Sequence, residues 1–77
     1  MNSNSKIVIW LGRFPLKCDT CSADIKDTFF DAATKFGPWA NMCPTCQTLG
    51  PGLNQVGPGK GQKYVKQEDG KFHKVEG

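Results

Sequence analysis

Two C-x-x-C pairs constrain this chain more than any other feature. Cys18-Asp19-Thr20-Cys21 and Cys43-Pro44-Thr45-Cys46 have 21 residues between them, close to the spacing at which two short turns each present two sulfurs to one metal ion. Four thiolates so placed complete a tetrahedral shell of bonds about 2.3 Å long, and the backbone amides of each turn donate hydrogen bonds to the sulfurs. The chain has only 77 residues, a size at which a hydrophobic core alone stabilises marginally, so a staple of this kind is expected.

The same cysteines can instead form two disulfides or a redox-active pair, and cellular compartment separates these readings. The apolar run Ile7-Val8-Ile9-Trp10-Leu11 is interrupted by Gly12 and Arg13 and falls short of the roughly 7–15 residues of a secretory signal core. It is much shorter than the about 20 apolar residues that cross a bilayer. The expectation is a monomeric cytoplasmic chain with no membrane association, its cysteines ligating Zn²⁺ rather than pairing. A redox-active pair would need a thioredoxin-like βαβ scaffold, for which the chain is too short. His73, the single histidine, reads as an exposed hairpin residue rather than a ligand.

Organisation follows from the punctuation around the cysteines. Residues 1–5 are polar and read as a disordered tail, leaving residues 6–77 as a single zinc-binding domain. Residues 6–11, rich in β-branched and aromatic side chains, read as a short strand. Residues 22–42 admit two readings. Ile25, Phe29, Ala32, Ala33 and Phe36 fall at helical spacing, with Asp24 as a cap and Gly37-Pro38 as a stop. A β-hairpin, with Thr28-Phe29-Phe30 on one arm, a turn near residues 34–38 and residues 39–42 on the other, returns the second cysteine pair to the first, and is preferred for that reason. Residues 50–61, GPGLNQVGPGKG, are too rich in glycine and proline for regular structure. Residues 63–75 read as a second hairpin turning at Asp69-Gly70, with its register undetermined. The predicted fold is small, metal-stabilised and mainly β: zinc-ribbon or treble-clef-like, with two zinc knuckles, a central hairpin and a C-terminal hairpin.

The residues disfavour catalysis. Four protein ligands at Cys18, Cys21, Cys43 and Cys46 leave no coordination position for an activated water. The carboxylates are scattered, and no Ser/His/Asp or Cys/His set can be assembled. Gly52 and Gly57 have the spacing of the first part of a phosphate-binding loop, but Pro58-Gly59 stands where Lys-Ser/Thr is needed to hold the terminal phosphates and Mg²⁺. The loop therefore reads as a stiffened connector.

Two non-catalytic roles remain. Lys60, Lys63 and Lys66, with Tyr64 among them and Lys71, Phe72 and Lys74 following, combine charge and aromatic rings in the way that DNA or RNA binding uses. The formal charge of +3 overstates this reading, because a zinc ion on four thiolates makes a site of about −2 and leaves the protein at about +1. The alternative is an adaptor docking on another protein through Trp10, Phe36 and Trp39, aromatics being the usual interface anchors. For Trp39 the more economical reading is a cover for the core beside the metal.

The two C-x-x-C pairs, the segment GPWANMC before the second pair and GKGQKY after the glycine-rich loop resemble small zinc-ribbon-like proteins encoded by bacteriophages and prophages. The resemblance covers residues 17–77. It implies a phage protein acting in the cytoplasm of an infected bacterium, with a host or phage protein as an available partner, and it implies no particular activity.

Overall fold

In a computed structural model, which describes residues 8–77, the segment between the cysteine pairs is a β-hairpin. Strand β1, Thr28–Ala33, pairs antiparallel with β2, Trp39–Met42, in the register Phe30 opposite Met42 and Ala32 opposite Ala40. The turn is closed by Thr34, whose hydroxyl donates to the Pro38 carbonyl (2.8 Å) and whose carbonyl accepts from the Gly37 amide (3.0 Å). Helix α1, Pro44–Leu49, follows at once, with proline in its first turn where a missing amide hydrogen costs nothing. Strands β3, Gly61–Lys66, and β4, Phe72–Glu76, form the second hairpin, and the sheet runs β2-β1-β3-β4 with every pairing antiparallel.

Its register is set with Lys66 opposite Phe72 and Tyr64 opposite Lys74, and an irregularity lies between Lys63 and Tyr64. Asp69 and Gly70 lie in a five-residue connection. Gly70 donates to Gln67, and the Asp69 carboxylate accepts from the Lys71 amide at 2.8 Å. The predicted N-terminal strand is reduced to a bridge between Ile9 and His73, flanked by Trp10 N–H to Phe72 (2.9 Å) and Lys74 N–H to Val8 (2.7 Å). Lys6, Ile7 and the expected tail at 1–5 fall outside the described residues.

Because neighbouring strand residues point to opposite faces, the register sorts the side chains into two small cores. On one face Phe29 and Tyr64 stack at 5.1 Å between centroids, Trp10 meets both edge-on, and Phe72 meets Phe29 edge-on at 5.0 Å. Phe14 and Ile25, from the segment around the first cysteine pair, close this cluster. On the other face Ala32 and Met42 are fully buried with Cys18 and Cys46, against Phe30, Ala40 and Cys43. Strand β1 serves both cores, burying Phe29 on one face and Ala32 on the other.

The glycine-rich connection is a strap rather than a loose link. The amides of Gly50 and Gly52 both donate to the Cys46 carbonyl, that of Asn54 donates to Gln47, and the Gln47 side-chain amide donates to the Gln55 carbonyl at 2.9 Å. Gly52 also bridges Thr34. A Cβ at Gly52 would lie 2.5 Å from Gln47 Cα and 2.8 Å from its carbonyl oxygen, and one at Gly61 would lie 2.5 Å from Ala32 Cβ. These glycines permit close backbone approach, a role unrelated to phosphate. Gly52→Ala is expected to lower stability by about 2–3 kcal/mol through overpacking against helix backbone. Denaturant unfolding in excess metal measures it, and an unchanged midpoint would refute the close-approach role.

Candidate metal centre

The first cysteine pair sits in a tight turn held by its own backbone. Cys18 N–H donates to Ala23 (2.8 Å), Ser22 N–H donates to Cys18 (2.9 Å), and Lys17 bridges Asp24 across the base. Asp19 fastens this turn to the edge of β2, its amide donating to the Asn41 carbonyl and its carboxylate accepting the Asn41 amide, each at 2.9 Å. The second pair departs from the expected knuckle. Cys43 is the N-cap of α1 and Cys46 lies in its first turn, so the helical backbone sets their spacing. Sequence inspection passed over α1, although Pro44 at its start and Gly50 just past its end are the ordinary punctuation of a short helix.

All four sulfurs lie within 4.8 Å of one another, and the Cys21 and Cys43 sulfurs are 3.8 Å apart. A tetrahedron with bonds of about 2.3 Å has edges of about 3.8 Å, so the cluster has the dimensions of a metal shell. None of the four is in a disulfide. Cys18 and Cys46 are buried, Cys43 is half-buried and Cys21 is exposed.

The thiols compete for ionisation. Burial pushes Cys18 up, but the Thr20 hydroxyl, 3.2 Å from its sulfur, and the amides of Cys43, Thr20 and Cys21 outweigh this and bring it down to about 6. For Cys46 the Thr20 hydroxyl pulls down, yet burial and the sulfurs of Cys21, Cys18 and Cys43 push it up to about 12. The Ala23 amide and the Cys46 sulfur draw Cys21 down, but the Cys18 sulfur, slight burial and the Cys43 sulfur leave it raised. A cation at the centre relieves this conflict, because it pairs with all four negative charges at once.

Lys60, Lys63, Tyr64 and Lys66, expected to meet DNA or RNA, are not brought together. Tyr64 is only 5% exposed, stacked in the aromatic core, with its hydroxyl donating to Gln62 at 2.9 Å. It offers no ring face to a base, and Phe72 is buried beside it. Lys63 shares a sheet face with Phe30, its ammonium 5.9 Å from that ring's centroid. Lys66 lies on the opposite face, in register with Phe72, and Lys60 is exposed in the turn before β3.

Three further expectations are revised. His73 is half-buried rather than exposed, with Nε2 3.0 Å from the Asp69 carboxylate. Trp10 belongs to the aromatic core. Trp39 does not cover the metal side: its register with Ala33 and its alternation with Ala40 and Met42 put it on the other face, where it is 45% exposed. Phe36 (81%) and Leu49 (85%) are far more exposed, and Leu53 is exposed as well. These four come from segments tied together by the Thr34–Gly52 bridge and by Lys35 N–H to Pro51 (2.8 Å). Leu11 and Leu16 are exposed separately, on the segment leading into and through the first turn.

Comparison with protein-family models, curated proteins and solved structures finds no match to this chain. Among the described residues no helix is long and apolar enough to cross a membrane.

Proposed function

We propose that this chain is a non-catalytic binding module folded around one structural Zn²⁺ held by Cys18, Cys21, Cys43 and Cys46, and that it docks on a protein partner. The four-sulfur cluster supports the first half: all-thiolate tetrahedral sites suit borderline-soft zinc, and a shell filled by protein ligands supplies structure rather than an activated water. The order turn, hairpin, helix, with the second ligand pair on the helix, supports a treble-clef-like reading over a ribbon of two matching knuckles.

The observation that carries the second half is the exposure of Phe36, Trp39, Leu49 and Leu53, on segments joined by the Thr34–Gly52 bridge and by Lys35 N–H to Pro51. Phe36 and Trp39, 81% and 45% exposed at the tip of the hairpin, are placed to act as interface anchors. The nucleic-acid reading has lost its stacking rings to the core, and its lysines divide between two faces. Asp19 on β2 and residues 8–10 on β4 occupy both sheet edges, which supports a monomer. The phage resemblance makes a host or phage protein the proposed partner.

Capture from lysate of a bacterial host with the tagged chain tests this. The wild type is expected to recover one stoichiometric partner, and the pair Phe36→Ser and Trp39→Ser to lose at least about tenfold in affinity with metal content unchanged, as for anchors worth about 2 kcal/mol together. Equal capture by the variant, or salt-dependent binding of DNA or RNA instead, would reject the docking reading.

A further inference from the structure

Exposure is distributed unequally over the four sulfurs, and this bears on what an oxidant can reach. Cys18 is 2% exposed and Cys46 6%, whereas Cys21 is open to solvent and faces the Cys43 sulfur at 3.8 Å. Cys21 belongs to the turn after β-bridge residue Lys17, and Cys43 is the cap of α1. The pair that contains the exposed Cys21 and the half-buried Cys43 thus spans the two halves of the site, one sulfur from each C-x-x-C, and the buried pair likewise. We propose that Cys21 and Cys43 form a peroxide-oxidised disulfide that dismantles the metal site, making it a redox-sensitive staple. The inference rests on the four-thiolate zinc reading.

The chemistry balances with a hydroperoxide as oxidant. The Cys21 thiolate attacks one peroxide oxygen; the O–O bond breaks, and the departing hydroxide takes a proton to become water. Cys21 is then a sulfenic acid, the first and reversible step of thiol oxidation. The Cys43 thiolate attacks the Cys21 sulfur, the S–S bond forms, the S–O bond breaks, and the second hydroxide leaves as water after protonation. Two thiolates, one H₂O₂ and two protons give one disulfide and two waters. The pair loses two electrons to the peroxide.

The consequence follows from ligand number. Only Cys18 and Cys46 remain as thiolates, and two ligands do not complete the tetrahedral shell that a structural zinc requires. The aromatic cluster of Trp10, Phe29, Tyr64 and Phe72 contains no sulfur, so the oxidant acts on one core alone. A thiol reductant with added Zn²⁺ restores the site by exchange.

The full chain loaded with Zn²⁺ is treated with graded H₂O₂, metal release is followed with a chromophoric chelator, and the unreduced protein is mapped by mass spectrometry. About one Zn²⁺ released per peroxide consumed, with Cys21–Cys43 as the dominant disulfide, is expected. Release with Cys18–Cys46 or a scrambled mixture dominant, or a loaded site that keeps its metal under peroxide, overturns the proposal. Failure of the reduced chain to take up Zn²⁺ at all overturns the metal reading itself. Cys21→His keeps a zinc ligand while removing the exposed thiol, and is expected to slow release about tenfold or more. A loaded Cys21→His that releases metal as fast as wild type also overturns it; should this variant not bind metal, the wild-type disulfide map decides.

Discussion

Stripping the metal with a strong chelator is expected to unfold the protein, collapsing the dispersion of its amide NMR spectrum, and adding Zn²⁺ back is expected to restore it. Structural zinc in small modules contributes about 10–16 kcal/mol of apparent folding free energy, whereas a domain's whole stability is about 5–15 kcal/mol. The site has no substitute source of order. Cys18 and Cys46 are half of a four-residue buried core whose other members are only Ala32 and Met42, and without a cation the crowded thiols resist ionising together. Cys46 also anchors the strap, because its carbonyl accepts both Gly50 and Gly52. A fully dispersed spectrum after complete metal removal would falsify the structural role.

Phe29→Ala is expected to cost about 3–5 kcal/mol, the range for removing a buried aromatic side chain. In a domain of this size that corresponds to a fall in Tm of roughly 15–30 °C, read by thermal melting in excess metal. Phe29 is fully buried, and its ring meets Trp10, Tyr64 and Phe72, the most ring contacts of any member of the aromatic core. Leu or Ile would restore volume without the edge-on geometry, so Phe29→Leu should lose less. A shift below about 1 kcal/mol for Phe29→Ala would mean that the aromatic face contributes little beside the metal.

The competition between helix and hairpin over residues 22–42 has a physical origin in β1. A strand that covers one core shows alternate buried residues, but β1 buries Phe29 on one face and Ala32 on the other. The resulting interval of three imitates helical periodicity. The argument that both cysteine pairs must reach one ion is independent of periodicity, and it led to the hairpin that is observed. Trp39 was misplaced for a related reason. Which face a residue joins depends on register, and one step along β2 separates Trp39 from the buried side carrying Ala40 and Met42.

Local composition also misdirected the reading of β3. Tyr64 among lysines looks like a nucleic-acid surface, yet β3 lies between β1 and β4, and a ring on an interior strand is drawn into the core. The lysines on either side then fall to different faces or to the turn. In the strap, Gly52 and Gly57 resembled a phosphate loop because that use needs backbone without a Cβ; the approach of the Gln47 backbone gives Gly52 a packing reason instead.

By itself the sequence singled out the four cysteines that cluster, the two hairpins and the irregular character of residues 50–60, because these rest on residue type and short spacings. Tertiary structure alone decided which sulfurs meet solvent, which aromatics form the core and which stand in water, and that the glycine strap lies against α1. Those outcomes depend on strand order and register, through which residues distant in sequence become neighbours, and a shift of one residue would exchange the faces.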